Sequence, residues 1–435
     1  MLNTLRNAWR LPELRKKMLF TLFIILIFRF GSVLPVPFID VAALKSAMDQ
    51  SLSSANAGSG SFFSYLSVLT GGAMDYGALF AMSVTPYINA SIIMQLLTVA
   101  IPPLERIAKE GEEGRKRIAK YTRFATVILG LAQGAAYWWW LHASGYIKNE
   151  GGFDTVFAAV VIITSFTAGS ALMMWLGEQI DAKGVGNGIS ILLFAGIISR
   201  VPTGIATLWN YFFELDYYVQ VIVLLVLFLA TIVFIVWMNE AERRVPIQYA
   251  KRVVGRKQYG GQNTHLPIKV NMSGVMPIIF ASSILMIPTQ ILAFMGTSNT
   301  QGTWYRILSL FSYNNWPYAI IYFALIIAFA FFYTTIQYNP VEMANNLRKQ
   351  NGAIPGIRPG KPTQDYLTKI ISRITLIGAI FLGILAVLPI VVGQFSKINV
   401  SLGGTSIIIV VGVAIDTVKQ IESQMMMRHY KGFLD

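Results

Sequence analysis

The sequence predicts an all-α polytopic membrane protein with ten transmembrane helices. The 435 residues are 54% hydrophobic and only 13% charged, a composition typical of chains that cross a membrane many times. Long apolar runs recur along the whole length, and no polar stretch is long enough to form a soluble domain with its own core. The spans are expected at about 18–36, 76–98, 122–142, 154–176, 188–206, 217–238, 272–294, 317–338, 371–392 and 404–424.

The first span follows a basic N-terminal tail, as the apolar core of a signal peptide does. This run extends over about 18–36, lacks a convincing small-residue cleavage site and leads into further spans. These features favour a transmembrane helix that is retained.

The second span belongs to a stretch, 61–98, that is apolar but broken. Residues 62–69 are helix-like but at most about 12 Å long, which is too short for a hydrocarbon core of about 30 Å. Gly71, Gly72 and Gly77 then loosen the backbone. A short apolar half-helix is tolerated at membrane depth only where protein buries it or where it lines a cavity. We therefore predict a re-entrant segment that the other spans enclose.

The basic residues alternate between the two sides of the predicted membrane. Most of the 35 Lys and Arg residues lie in the two terminal tails and in the loops on the same side as these tails, while Arg29 lies inside the first span. The opposite side carries only Lys45, Lys148, Arg200, Arg306 and Lys397. Because cytoplasmic segments are enriched in Lys and Arg, both termini are predicted to be cytoplasmic. The net charge of +14 is thus mainly a signature of topology.

Two cytoplasmic loops, about 239–270 and 339–370, are longer and more basic than topology requires. Long loops in compact proteins tend to be functional. In the second loop, prolines and glycines at 355–360 stiffen a tip that carries Arg358 and Lys361. Such a tip suits phosphate backbones or acidic protein surfaces as partners.

Two short patterns recur between the halves of the chain. P-x-I-x-A-S occurs at 86–91 and 277–282, and G-x-S-I followed by two aliphatic residues occurs at 188–193 and 404–409. The matches pair spans 2 and 5 with spans 7 and 10, which predicts two five-span halves, 1–206 and 207–435. Since five is odd, the halves have opposite orientations, and inverted repeats usually face each other across a central pathway.

Enzyme chemistry finds little support in the sequence, and no catalytic residue, metal site or cofactor is predicted. There is no cysteine, the three histidines are scattered, and no zinc-protease, Walker-type or nucleophile-elbow motif occurs. The glycine-rich stretch 184–188 does not follow a strand, which argues against a nucleotide loop. Besides a channel, two classes remain open: a secondary transporter with inverted repeats, which needs a polar midplane site, and an intramembrane enzyme.

Five stretches together resemble the bacterial SecY family. They are GALFAMSVTPYINASIIMQLL, GVGNGISILLFAGI, YAKRVVGRKQYGGQNTHLPIKVNMSGVMPIIFASSI, PGIRPGKPT and GGTSIIIVVGVAIDTVKQIESQMM. The resemblance covers about residues 4–434. It implies a clamshell of two halves around an hourglass pore. It also implies that the chain conducts unfolded secretory polypeptides across the bacterial cytoplasmic membrane and releases membrane-protein segments sideways into it.

The resemblance also implies a pore ring and a plug that close the channel. The plug would lie at about 61–72, and it would comprise Phe62, Phe63, Tyr65, Leu66 and Leu69 with Gly71 and Gly72 as its hinge. The ring would be formed by Val84, Ile88, Ile189, Leu193, Ile279 and Ile409. Two pairs in the ring have i,i+4 spacing and so share a helix face, and Ile88 with Ile279, like Leu193 with Ile409, occupies equivalent repeat positions. A narrow aliphatic constriction gates by dewetting.

Partners and a lateral gate are implied in the same way. The gate would involve spans 2, 3, 7 and 8, with Gln95 and Asn271 as its candidate polar groups. The SecA motor or the ribosome would dock on the basic loops, at Arg252, Arg256, Lys257, Arg358 and Lys361. SecE and SecG would be companion subunits, signal sequences and translocating polypeptides would be substrates, and membrane lipids would surround the chain.

Overall fold

The computed structural model describes residues 2–53, 67–68, 70–148, 153–213, 218–249, 252–254, 257–259, 264–294, 307–311, 315–395 and 404–431. The predicted plug residues Phe62, Phe63, Tyr65, Leu66 and Leu69 lie outside these ranges, as does Arg256.

The first half of the chain contains nine described helices. They are α1 (Leu2–Arg10), α2 (Pro12–Gly31), α3 (Val41–Ser53), α4 (Thr85–Ala100), α5 (Pro102–Lys109), α6 (Glu112–Ala143), α7 (Phe153–Lys183), α8 (Gly188–Ser199) and α9 (Val201–Phe213).

The second half contains six described helices and all five strands. The helices are α10 (Tyr218–Glu240), α11 (Met276–Phe294), α12 (Trp316–Gln337), α13 (Pro340–Lys349), α14 (Lys361–Phe395) and α15 (Gly404–Lys431). The strands are β1 (Glu242–Tyr249), β2 (Arg252–Val254), β3 (Lys257–Tyr259), β4 (Thr264–Lys269) and β5 (Gly352–Ala353).

The ten predicted spans coincide in order with α2, α4, α6, α7, the pair α8 and α9, α10, α11, α12, α14 and α15. By length and composition alone, five helical stretches among the described residues could cross a membrane, or six if the pair α4 and α5, bent by 101°, counts as one span. Helices α6 and α15 carry charged residues at one end and α2 carries them at both ends, which lowers their mean hydropathy. The prediction of an all-α membrane fold is confirmed.

Helix contacts define two halves that meet along two seams. Within the first half α2 contacts α7, α4 contacts α6, and α6 contacts α7; within the second half α12 contacts α11 and α14, and α15 contacts α10 and α14. Between the halves, α4 and α6 contact α11 at one seam, and α8 contacts α15 at the other. These pairs join span 2 to span 7 and span 5 to span 10, which are the spans that the sequence repeat pairs.

The second span is shorter than the sequence predicts. Its helix begins at Thr85, not near residue 76, and residues 70–84 form a chain of turns. Four residues of this segment have positive φ, at Gly71, Gly72, Gly77 and Ser83, a conformation that a continuous right-handed helix excludes. The segment is almost entirely buried, as irregular backbone at membrane depth must be.

The fifth span is interrupted as well. Helix α8 ends at Ser199, Arg200 caps it, and α9 begins at Val201. The expected single span at 188–206 is therefore two successive helices with a charged residue at their junction.

The two long basic loops form a small shared domain. Strand β1 pairs antiparallel with β4, from Glu242 opposite Lys269 to Ile247 opposite Thr264, and it also pairs with β5 of the second loop. Side chains of both loops and of α13 and α14 pack into one apolar cluster beneath this sheet. The sheet was not predicted, and it fixes the two basic loops to each other.

Candidate functional site

The six predicted ring residues lie in or against one large apolar cluster that both halves of the chain share. Five of them, Val84, Ile88, Leu193, Ile279 and Ile409, are at most 8% exposed and belong to one apolar cluster, and half-buried Ile189 packs against that cluster. The cluster draws these residues from α4, α8, α11 and α15 and from the residue before α4. The structure thus brings all six together, whereas their role as a seal remains a proposal.

The ring residues occupy matching positions in paired helices. Helices α4 and α11 begin at Thr85 and Met276, so Ile88 and Ile279 are each the fourth helical residue. Helices α8 and α15 begin at Gly188 and Gly404, so Leu193 and Ile409 are each the sixth. The two repeat motifs therefore mark two pairs of equivalent helix starts.

Val84 precedes α4, yet it stays one turn from Ile88. Its carbonyl accepts the Ile88 amide at 3.0 Å, and its side chain is fully buried. Helix α4 can start here because Pro86 lies in its first turn, where the fixed φ of proline favours the helix and its missing N–H costs no bond.

The glycine-rich stretch 184–188 sets the start of α8 and thereby the place of Ile189. The Asn187 side chain accepts the Ser190 amide at 3.1 Å, and the Asp181 carboxylate accepts the Gly188 amide at 2.7 Å. These bonds satisfy amide groups that a helix N-terminus leaves without partners. A Cβ at Gly188 would meet the Gly177 carbonyl oxygen at 2.0 Å, so glycine permits α7 and α8 to approach closely.

The six side chains are aliphatic and carry no polar atom. Aliphatic side chains offer no group that could replace an ion's hydration shell or take up a proton. Among the described residues, no group of three or more His, Asp or Glu side chains lies close enough together to hold a metal ion.

The two predicted hinge glycines are described and are tightly packed. Gly71 has a φ of 66° and Gly72 a φ of 88°. A Cβ at Gly71 would lie 2.7 Å from Ser199 Oγ, and one at Gly72 would lie 3.1 Å from the Arg200 guanidinium carbon. Glycine is therefore required at both positions for conformation as well as for space.

Sequence reasoning missed the charged groups that surround these glycines. Arg200 was counted only among the few basic residues of the side opposite the termini, and Asp75 was not singled out, but the two side chains form an ion pair with exposed fractions of 17% and 9%. One feature of the sequence could have revealed this pair: Arg200 and Asp75 are opposite charges that lie within or beside apolar runs on the same predicted side of the membrane.

The candidate polar groups of the lateral gate do not point to each other. The Asn271 amide donates to Asn239 Oδ1 at 2.7 Å, so this bond links α10 to the residues before α11 within the second half. Gln95 lies half-buried on α4. The seam between α11 and the pair α4 and α6 nevertheless exists.

The second basic loop presents a stiff, exposed tip. Arg358 and Lys361 are exposed, while Ile354 is buried in the cluster beneath the sheet and Ile357 packs against it. The Arg358 carbonyl accepts the Thr363 hydroxyl at 2.8 Å. The tip is thus anchored by two isoleucines and a side-chain bond.

The first basic loop carries Arg252 and Lys257 on a second, two-stranded ribbon. Strand β2 pairs antiparallel with β3, with Arg252 opposite Tyr259 and Val254 opposite Lys257.

Comparison with known proteins identifies relatives over the full chain. A family model for SecY matches residues 78–418. The protein translocase subunits SecY of Halalkalibacterium halodurans and Bacillus subtilis are 43% and 42% identical, over 445 and 446 residues, with 100% of both chains covered in each case.

Three solved structures share the fold at low sequence identity. One is a protein-conducting channel (TM-score 0.65, 19% identity), and one is a SecY protein whose plug domain stabilises the closed state of the translocation channel (0.64, 17%). The third is Sec61 in a canine ribosome–channel complex from the endoplasmic reticulum (0.62, 17%). Each similarity covers 94% of this chain and 92% of the other.

Proposed function

The chain belongs to the SecY family, and from this we propose that it forms a protein-conducting channel that moves unfolded polypeptides across the bacterial cytoplasmic membrane. The observation that carries the proposal is the central cluster. Six aliphatic residues from both halves lie in or against one apolar cluster, and four of them occupy equivalent positions in two pairs of repeated helices. A secondary transporter would instead need polar groups at this place.

The ring would work as a compressible seal. In the closed state the side chains pack against one another and leave no wet path for ions, because a narrow apolar constriction expels water. A polypeptide in transit would part the two halves, and the same side chains would close around it. No energy source lies in such a ring, so SecA or the ribosome would supply the driving force.

A plug at about 61–72 would close the channel on its outer side. Two observations support this: the solved SecY protein with a plug domain has the same fold, and Gly71 and Gly72 lie in a tightly packed turn at the end of the proposed segment. The plug would be displaced when the halves separate.

Lateral release would use the seam at which α11 meets α4 and α6. Signal sequences and membrane-protein segments would enter the lipid there, with Gln95 on one side and Asn271 near the start of α11 on the other. The Asn271 side chain bonds to Asn239 within the second half, so this bond would not hold the seam between the halves.

Cytoplasmic partners would dock on the shared domain of the two loops. We assign this role to Arg252, Arg256, Lys257, Arg358 and Lys361, with SecA and the ribosome as partners and with SecE and SecG as companion subunits. Sec61, which has the same fold, is bound to a ribosome in its solved complex. Both termini would then lie in the cytoplasm.

Cross-linking in this cysteine-free chain tests the path directly. A single cysteine is placed at Ile88, or at Ile377 on α14, whose side chain is 60% exposed on the outside of the bundle. A secretory chain with one cysteine is stalled partway through export and the sample is oxidised. A disulfide is expected at Ile88 and not at Ile377. With export active, the absence of a disulfide at Ile88, Ile279 and Ile409 would show that the path lies elsewhere.

A further inference from the structure

An ion pair is buried between the break in span 5 and the segment that follows the proposed plug. Arg200 Nη2 donates to Asp75 Oδ2 and to Ser67 Oγ. Removing two charges from water is costly, and a buried charge left without its partner costs more still. Ionisable residues within membrane proteins are rare for this reason and commonly mark functional sites.

A second attachment lies beside the ion pair. Arg29, in the last turn of α2, donates from Nη1 to the Gly71 carbonyl at 2.8 Å. Ser199 Oγ lies 3.3 Å from the same carbonyl, but its shorter bond, at 2.7 Å, goes to the Gly196 carbonyl of its own helix. The Gly71 carbonyl is thus held mainly by Arg29 of α2.

Both attachments act on the described residues of one short segment, 67–75. The segment folds back on itself through the Gly72 amide, which donates to the Ser67 carbonyl at 2.8 Å. Thr70 is fully buried and Val68 is 2% exposed. The bonds from Arg29 and Arg200 to residues of this segment hold it to helices of the first half.

We propose that Arg200 and Asp75, assisted by Arg29, are positioning residues that latch residues 67–75 to the first half and so keep the plug in its closed position. The consequence for gating rests on the proposed function, but the latch itself is measurable without transport. When the latch opens, segment 67–75 leaves its site and Val68 becomes accessible from the outer side.

The latch is tested by thiol labelling in the assembled complex. Val68→Cys is introduced into the cysteine-free chain, and intact spheroplasts are treated with a small, membrane-impermeant maleimide. Asp75→Asn and Arg200→Gln are each expected to raise the labelling rate at least about tenfold, less than for a fully buried pair because Arg200 retains some access to water. Arg29→Gln is expected to raise it less.

A charge-swapped double variant distinguishes loss of the ion pair from a general disturbance of packing around it. The double variant Asp75→Arg with Arg200→Asp is expected to label within about threefold of the parent rate, since the opposite charges are restored. Lys148→Gln, which removes an exposed charge on the same predicted side, should leave the rate unchanged.

Three results would overturn the latch. The first is a labelling rate that both single variants leave unchanged. The second is a double variant that labels as fast as the single variants. The third is degradation of the double variant together with the single variants, which would show that opposite charge alone does not hold the segment. If only the single variants are degraded, slow labelling of the double variant supports the latch.

A stalled secretory chain separates this inference from the channel proposal. Engagement of the chain should raise Val68→Cys labelling in the unaltered latch. If a cysteine at Ile88 cross-links to the stalled chain while labelling at Val68 stays slow, the channel stands and the role of the latch in opening is wrong. If Ile88 does not cross-link, the channel proposal fails independently of the latch.

Discussion

The ring is tested most severely by placing an amide in it. Ile409 is 2% exposed within the central cluster. Ile409→Asn forfeits the burial of an aliphatic side chain, about 1.5–3 kcal/mol, and buries an amide without an assured partner, about 1–3 kcal/mol. Both costs fall on the closed state, because a parted ring rehydrates the amide. Even about 2 kcal/mol of this would raise the open fraction about thirtyfold, at about 1.4 kcal/mol per factor of ten.

Two assays measure that shift. Export of a reporter with a defective signal sequence should rise, and so should the ion conductance of the purified complex in a planar bilayer. Ile279→Asn should act in the same direction, because Ile279 also belongs to the second half and lies on α11 at the other seam. Ile409→Leu conserves volume and should stay near wild type. If both asparagine variants still reject the defective signal sequence and show wild-type ion conductance while normal export continues, the cluster is not the seal.

Two further predictions concern the docking tip and the start of α8. Arg358→Glu should strongly reduce SecA-driven export into inverted vesicles without lowering the amount of inserted protein. The control Lys349→Glu makes the same charge change at an exposed site in the same loop and should reduce export only weakly. Equal losses of export in the two variants would contradict docking at the tip. Gly186→Ala should lower the thermal unfolding midpoint in detergent, because φ is +87° and a Cβ would meet Ile191 Cδ1 at 2.6 Å, together about 1–3 kcal/mol. Gly356→Ala, with φ +81° but open space around it, should lower it less, and equal losses would show that the contact with Ile191 contributes nothing.

The positions of the spans could be predicted because hydropathy is a local property. A run of about twenty apolar residues has few alternatives to a membrane helix. The repeat motifs carried more information than their length suggests, since P-x-I-x-A-S begins at the second residue of both α4 and α11. Ile88 and Ile279 could therefore be paired from the sequence before any contact was known.

The course of residues 70–84 could not be predicted because distant contacts decide it. The Leu79 amide donates to the Leu34 carbonyl at 2.9 Å, and the Val36 amide donates to the Gly77 carbonyl at 3.0 Å. Phe80 lies where a side chain at position 31 would be, against the glycine of α2. Local composition favours a helix here, but these partners stabilise a packed turn instead.

The shared domain of the two basic loops was missed for a similar reason. Strand β1 lies in the first loop and β5 in the second, and Gln248 pairs with Ala353 across more than 100 residues of sequence. Basic composition and the turn residues at 355–360 revealed the exposed tip, whereas the apolar residues that anchor it, such as Ile354, are too few and too scattered to predict a sheet.

The arrangement of the ring explains how one motion could open it completely. Ile88 and Ile279 lie on α4 and α11, which meet at one seam, and Leu193 and Ile409 lie on α8 and α15, which meet at the other. Each repeat-equivalent pair therefore belongs to two helices that contact each other between the halves. A rigid separation of the halves, the usual form of such transitions, would part both pairs at once. The latch at Asp75 and Arg200 connects two segments of the first half, so this separation alone would not break it, and the entering polypeptide would have to displace segment 67–75. Cross-linking at Ile88 should therefore be accompanied by faster thiol labelling at Val68.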